Sequence, residues 1–348
     1  MIRPALFGII TLILTVLPCR AQGTKLKPDE QIVFYPSIAT RATNGTNVWR
    51  VNIRGMVFEP ERRGLLLAAF KNAIELKRDR LSSAESMIFN ERARVFLVDH
   101  ERGKKVFIRI GTNEFFVGES GTDGRFEGEI NLRDPVEKRF TAAIRPGDDR
   151  ELRGQIFPLE AEGVSVISDI DDTIKITEVR DKEATLQNTF LREFRAVPGM
   201  AEFYRQLTPS NDVAFHYISA SPWQLYGPLA KFIAANEFPD GTFELKRFRL
   251  KDRSFFSLFS DPEKYKPSVI EPLLRQFPKR RFILIGDSGE RDPEIYGALA
   301  RKFPEQIIRI YIREVTKEAT DSNRYQKAFR DVRRDKWQVF RVPAELNL

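Results

Sequence analysis

The chain has 348 residues, 42% of them hydrophobic and 30% charged, with a formal net charge of +8. That balance excludes a disordered or fibrous chain and leaves room for two buried cores, hence two domains. The positive charge is mild and both signs are interspersed, so it favours anionic partners such as phosphorylated substrates or acidic lipid surfaces without implying nucleic-acid binding.

The N-terminus reads as a secretory signal over residues 1–21. Arg3 is the positive flank, Ala5–Leu17 is apolar, and Cys19-Arg20-Ala21 offers small residues at the two positions a signal peptidase reads. The apolar stretch is too short for a comfortable membrane span. A lipoprotein signal would lipidate Cys19, but Pro18 directly before it fits that poorly; an uncleaved anchor is a further alternative. Cleavage would remove the sole cysteine, leaving no disulfide and no thiolate chemistry. The expected location is therefore the periplasm or the exterior, with membrane association as a variant. Asn44-Gly45-Thr46 matches a glycosylation sequon, which matters only in a eukaryotic secretory route.

Residues 30–160 are expected to form a β-sandwich-like domain with a helical insertion. Val51 and Ile53 alternate with Arg50, Asn52 and Arg54 in a half-buried strand over Asn47–Val57. Leu66, Phe70, Ala73 and Ile74 recur at helical spacing, and Ser82-Ser83-Ala84-Glu85 is a capping box opening a second helix. Strands are predicted at 94–98, 105–110, 114–117, 125–132, 141–144 and 151–158.

From Gly163 the pattern changes to apolar strands alternating with helices, the mark of a parallel α/β sheet over residues 161–345. Strands are predicted at 164–168, 213–218, 243–248, 282–285 and 307–312, and helices near 199–207, 223–236, 267–277 and 293–303. Pro267 and Pro293 suit first helical positions, with Asp292 as the cap of the last helix. The Arg/Lys-rich stretch 330–336 reads as a solvated helix face.

Four chemistry-bearing pieces follow strands or begin helices. Asp169 and Asp171 sit two apart at a strand's exit and so point the same way. Ser219 ends a second strand, where a hydroxyl and backbone N–H groups suit phosphate oxygens. Lys266 precedes a helix as a point charge for a phosphoryl group, with Lys264 as its competitor. Gly286-Asp287-Ser288-Gly289-Glu290-Arg291-Asp292 is a second acidic cluster suited to a hard cation. Singly, Ser219 is more simply a cap, Lys266 a surface lysine, and Asp169-Ile170-Asp171-Asp172-Thr173 an acidic turn. His100 and His216 are isolated and receive no role.

Together, in this order, these pieces resemble the haloacid dehalogenase superfamily over about residues 160–320. Ser219-Ala220-Ser221-Pro222-Trp223-Gln224-Leu225 and Gly286-Asp287-Ser288-Gly289 with Asp292-Pro293-Glu294-Ile295-Tyr296 are similar to the phosphatidate phosphatase family typified by the fungal actin-patch protein, a family with many bacterial relatives. Ala220 stands where Asn is expected. The resemblance implies a Rossmann-like haloacid dehalogenase fold preceded by the β-sandwich. Dehalogenating members lack an acid at the place of Asp171, so its presence implies a phosphatase. The implied catalytic residues are Asp169 as nucleophile and Asp171 as acid and base. Ser219, Lys266 and Thr173 would bind the substrate phosphate. The implied cofactor is Mg²⁺, on Asp169, Asp171 (through its carbonyl), Asp287 and Asp292.

The implied activity is Mg²⁺-dependent hydrolysis of phosphatidate-like lipids through an aspartyl-phosphate. The alternatives are a phosphatase for soluble or protein-borne phosphomonoesters, and a lipid- or protein-binding module carried by a supporting phosphatase-like domain. Only about 25 residues separate Thr173 from the helix at Gly199, room for a flap but not a lid domain. Phe255, Phe256 and Phe259, beside Arg247, Arg249, Lys251 and Arg253, are either core or a peripheral membrane contact.

Overall fold

A computed structural model describes residues 23–42, 47–60, 64–73, 76, 80–134, 136–145, 147–208, 213–247 and 262–346. The leader 1–21, the sequon, Ile74, Phe248, Arg249, Lys251, Arg253, Phe255, Phe256 and Phe259 lie outside them. Among the described residues no helix is long and apolar enough to cross a membrane.

The first half is β-rich: β1 (Gln31–Tyr35), β2 (Ser37–Arg41), β3 (Val48–Glu59), α1 (Gly64–Ala73), α2 (Ser83–Arg94), β4 (Asp99–His100), β5 (Lys105–Ile110), β6 (Asn113–Glu119), β7 (Arg125–Arg133), β8 (Arg139–Ala142) and β9 (Arg153–Leu159). β3 organises it. Trp49, Val51 and Ile53 face inward between exposed Arg50 and Asn52, and the strand's length lets it pair β1 and β2 in succession as well as β7 and β4. The expected two-sheet sandwich is corrected in one respect. Parallel pairing of β2 with β9 joins the layers into a single branched, nine-stranded sheet that curls on itself. Inward residues of both halves, among them Val51, Ile53, Val106, Ile108, Phe126 and Phe140, still enclose one core. Gly128 permits the close approach of β6, since a Cβ there would sit 1.6 Å from the Val117 carbonyl oxygen.

The capping box is present: Ser82 accepts from the Glu85 N–H and Glu85 accepts from the Ser82 N–H. The strand predicted at 94–98 is not. Helix α2 runs to Arg94 and a turn follows, because Phe89, Ala93 and Phe96 share one buried face. A short apolar run at a helix end cannot be told from a strand by pattern.

The second half is β10 (Val164–Asp169), α3 (Lys182–Phe190), α4 (Met200–Gln206), β11 (Val213–Pro222), α5 (Tyr226–Ala235), β12 (Gly241–Lys246), α6 (Pro262–Gln276), β13 (Arg281–Asp287), α7 (Asp292–Lys302), β14 (Ile307–Arg313), α8 (Asn323–Ala328) and β15 (Trp337–Phe340). All six strands are parallel, ordered β12-β11-β10-β13-β14-β15. The mixed α/β class with a parallel sheet is thus as expected. Connections run outward from β10 through β11 to β12, then return to β13 on its other side. The order therefore reverses between β10 and β13, and open α/β sheets bind ligands at the carboxyl ends of strands at such a point.

Three expectations are corrected. Pro267 lies inside α6, not at its start. Asp292 is the first residue of α7 and makes no cap, Arg291 being the capping position. The stretch 330–336 is turn and one 3-10 turn at Arg334–Lys336. The stretch with room for a flap after Thr173 packs into the core, with Leu186, Phe190, Leu191 and Val197 buried. Phe70, Phe89 and Phe96 of the β-rich half close on Phe190. Arg92, 4% exposed, donates to the Asn188, Thr189 and Arg192 carbonyls at the end of α3.

Candidate active site

β10 ends in Asp169, whose side chain is 1% exposed. One oxygen lies 3.0 Å from the Lys266 ammonium, and the other accepts from the Thr173 hydroxyl at 2.8 Å. Thr173 thus orients Asp169. Lys266 reaches in from α6, fully buried, and also pairs with Glu290 at 3.1 Å and with Asp292.

β13, beside β10, ends in Asp287. One of its oxygens accepts from the Gly289 N–H at 2.6 Å, while the other is buried without a partner. Asp292 lies against this strand end, accepting from the Asp287 N–H at 3.2 Å. Gly286 makes room for it, since a Cβ there would stand 2.2 Å from the Asp292 carboxylate. Oxygens of Asp169, Asp287 and Asp292 lie within 4.8 Å of one another, all three buried.

Electrostatics follow from this crowding. Burial, then Asp292, Glu290 and Asp171, raise the Asp169 proton affinity well above the usual range against the pull of Lys266. Burial, then Asp292, Asp169 and Glu290, do the same for Asp287. Burial works against the Lys266 charge, but Asp169, Asp292 and Glu290 outweigh it and hold it ionised. One ammonium faces four carboxyl groups, and buried charge without a partner is costly. An oxygen-only donor set with an orphaned carboxylate oxygen suits a hard divalent cation.

Asp171 is arranged differently from expectation. Its side chain is not part of the three-acid group. One oxygen takes Lys175 and the Thr177 hydroxyl, both at 2.8 Å; the other takes the Ser219 hydroxyl at 2.6 Å and Ser221 at 2.9 Å. Burial opposes its charge, but Lys175 and these donors overcome it and hold the carboxyl at about 2. Ser219, expected on phosphate, is here engaged with Asp171. Asp172, given no role from the sequence, has φ 54° and accepts from the Thr177, Glu178 and Val179 N–H groups. It knots the loop that carries both catalytic candidates, and Arg313 holds its carbonyl at 2.6 Å. Lys175 and Thr177 carry no signal singled out in the sequence, and Glu290 is named there only as part of the acidic cluster. The spacing of Lys175 four residues after Asp171 was the available signal. His216 is a core residue, bonded to Thr242 and Ser165.

Residues 164–314 match the family model described as the phosphatidate phosphatase APP1 catalytic domain. A relative, phosphatidate phosphatase APP1 of Saccharomyces cerevisiae, is 40% identical over 244 residues, covering 66% of this chain and 41% of the relative. An uncharacterized protein of Schizosaccharomyces pombe is 34% identical over 161 residues, 45% of this chain and 26% of that protein. The chain thus spans less than half the length of these curated relatives. The first match is too long to fit between Val164 and Leu348, so it reaches back into the β-rich half.

Proposed function

We propose that this chain, whose residues 164–314 match the APP1 catalytic-domain model, is a Mg²⁺-dependent phosphatase acting on phosphatidate-like lipids through an aspartyl-phosphate on Asp169. The observation that carries this reading is Asp169 itself. It is a buried carboxylate at the strand-order reversal, oriented by Thr173 and neutralised by Lys266, beside an Asp287 oxygen that lacks a partner. The yeast relative is named a phosphatidate phosphatase, which supports the lipid substrate.

Asp169, Asp287 and Asp292 would hold Mg²⁺, and the Asp171 carbonyl belongs to the proposed set. When bound, the ion supplies positive charge that lets a carboxylate approach a dianionic phosphate. Asp169 attacks phosphorus, and the P–O bond to the alcohol breaks. Lys266 faces the developing oxygen charge. Asp171 gives the leaving alkoxide its proton, then takes one from the water that attacks phosphorus and breaks its bond to Asp169, releasing phosphate and restoring the carboxylate. In the described arrangement Asp171 is ionised and turned to Lys175. A dianionic phosphate arriving nearby raises its proton affinity and competes for the Ser219 and Ser221 hydroxyls. The signal over 1–21 supports export to the periplasm or beyond, where the substrate would be a membrane lipid reached from the surface.

The deciding experiment compares Mg²⁺-dependent phosphate release from phosphatidate vesicles and from p-nitrophenyl phosphate. Preference for phosphatidate is expected. Equal or greater efficiency on the aryl phosphate, without vesicle binding, would leave a phosphatase for soluble phosphomonoesters.

A further inference from the structure

A cavity of about 620 Å³ lies where the two halves of the chain meet. Tyr35, Arg54 and Phe126 of the β-rich half form one wall; Trp223, Arg247 and Tyr265 of the other half face them. Its position is fixed by its neighbours in the chain. Tyr265 precedes Lys266, whose ammonium is 3.0 Å from Asp169. Trp223 follows Ser221, which bonds Asp171, by two residues. The cavity therefore flanks the Asp169 site on the β12 side of the sheet, and a group joined to a phosphate at Asp169 has this space beside it.

The wall is held rigidly. Arg54 reaches across from β3 to Glu244 at 2.5 Å and to the Phe243 carbonyl at 3.0 Å. Its guanidinium lies over the Trp223 ring, 5.2 Å from the ring centre, and Tyr35 packs on the same indole at 4.1 Å between ring centres.

The lining's chemistry narrows the occupant. Arg54, Arg125, Lys246 and Arg247 are matched in number by Glu119, Asp123, Glu127 and Glu244. A charge-balanced wall does not select a second phosphate, and burying those groups under hydrocarbon alone would be costly. The Tyr265 hydroxyl is buried and has no hydrogen-bond partner, so it asks for an oxygen-bearing ligand. The volume suits a group of drug-like size.

Resting on the phosphatase reading above, we propose that this cavity is the subsite for the uncharged neck of the substrate, the glycerol backbone and its ester carbonyls. A turn of the Tyr265 side chain brings its hydroxyl, buried and partnerless as the structure stands, to an ester oxygen, and the acyl chains stay outside. The β-rich half is then part of the specificity apparatus, through Tyr35, Arg54 and Phe126.

The test uses the full chain with two soluble substrates, monomeric dioctanoyl phosphatidate and p-nitrophenyl phosphate, so that membrane binding plays no part. The quantity read is the ratio of their kcat/KM values. Tyr265→Phe should lower that ratio about tenfold, the worth of one hydrogen bond, while raising the thermal midpoint, because it deletes a buried hydroxyl without a partner. A merely structural tyrosine would not move stability and selectivity in opposite senses. Gly121→Phe puts bulk on the cavity wall where a Cβ meets nothing nearer than 3.5 Å, and should lower the ratio further. Should that variant not fold, Tyr265→Phe decides alone. Ratios within about twofold of wild type in the folded variants overturn the proposal. A wild-type chain inactive on both compounds instead sinks the phosphatase reading beneath it.

Discussion

Lys175 and Asp171 form a closed ion pair, 2.8 Å apart with side chains 2% and 7% exposed. Removing the cation strands a buried carboxylate. Lys175→Met should therefore cost about 3–5 kcal/mol in urea denaturation. Adding Asp171→Asn to it should recover part of that loss, since no charge is then left alone. A single variant within about 1 kcal/mol of wild type would show that the pair contributes no more than a surface bridge.

Acid stability has a specific donor in His216. Burial, with Arg280 nearby, depresses its imidazole from 6.5 to about 3. The unfolded chain takes up that proton as pH falls below 6.5, whereas the folded chain does not until about 3. Stability is thus fully present above the first value and lost progressively toward the second, by a few kcal/mol. His216→Gln should flatten urea-unfolding free energy over that window. A slope equal to wild type would assign the loss to other groups.

Magnesium should stabilise the resting protein, independently of turnover. At about one hundred times its dissociation constant the gain is near 2.7 kcal/mol, read as a rise in thermal midpoint. Asp287→Asn removes the partnerless acceptor and should abolish that rise. An equal Mg²⁺ response in the variant would place the ion elsewhere.

Asp169→Asn should reduce phosphate release about 10³-fold or more with circular dichroism unchanged. The substitution keeps a Thr173 acceptor and removes one of the buried negative charges that Lys266 must offset. Near-wild-type Mg²⁺-dependent turnover would eliminate Asp169 as nucleophile.

The parallel sheet was legible because β10, β11, β13 and β14 are continuous apolar runs ending in polar signals. The short β15 and the six-residue α8 carry too little periodicity to register, and β1 and β2 lie within the expected β domain where no strand was placed. Asp169, Lys266, Asp287 and Asp292 were picked out at strand and helix ends, and the fold gathers them. The partners of Asp171 were not legible. Alternation holds only as far as the strand does, and β10 stops at Asp169, so it says nothing of what Asp171 bonds in the loop beyond. Lys175 stayed hidden because one lysine in a loop reads as solvated until burial is known.

The matched catalytic segment begins at Val164, yet its hydrophobic surface does not close on itself. Phe190 is covered by Phe70, Phe89 and Phe96, and Trp223 by Tyr35 and Arg54. A fragment cut at Gly163 would carry every residue of the candidate catalytic site and still expose an aromatic face to water, a face that drives aggregation. Expression trials that trim the protein to its homologous segment are therefore expected to yield insoluble material, and co-expression of residues 23–162 in trans should rescue it.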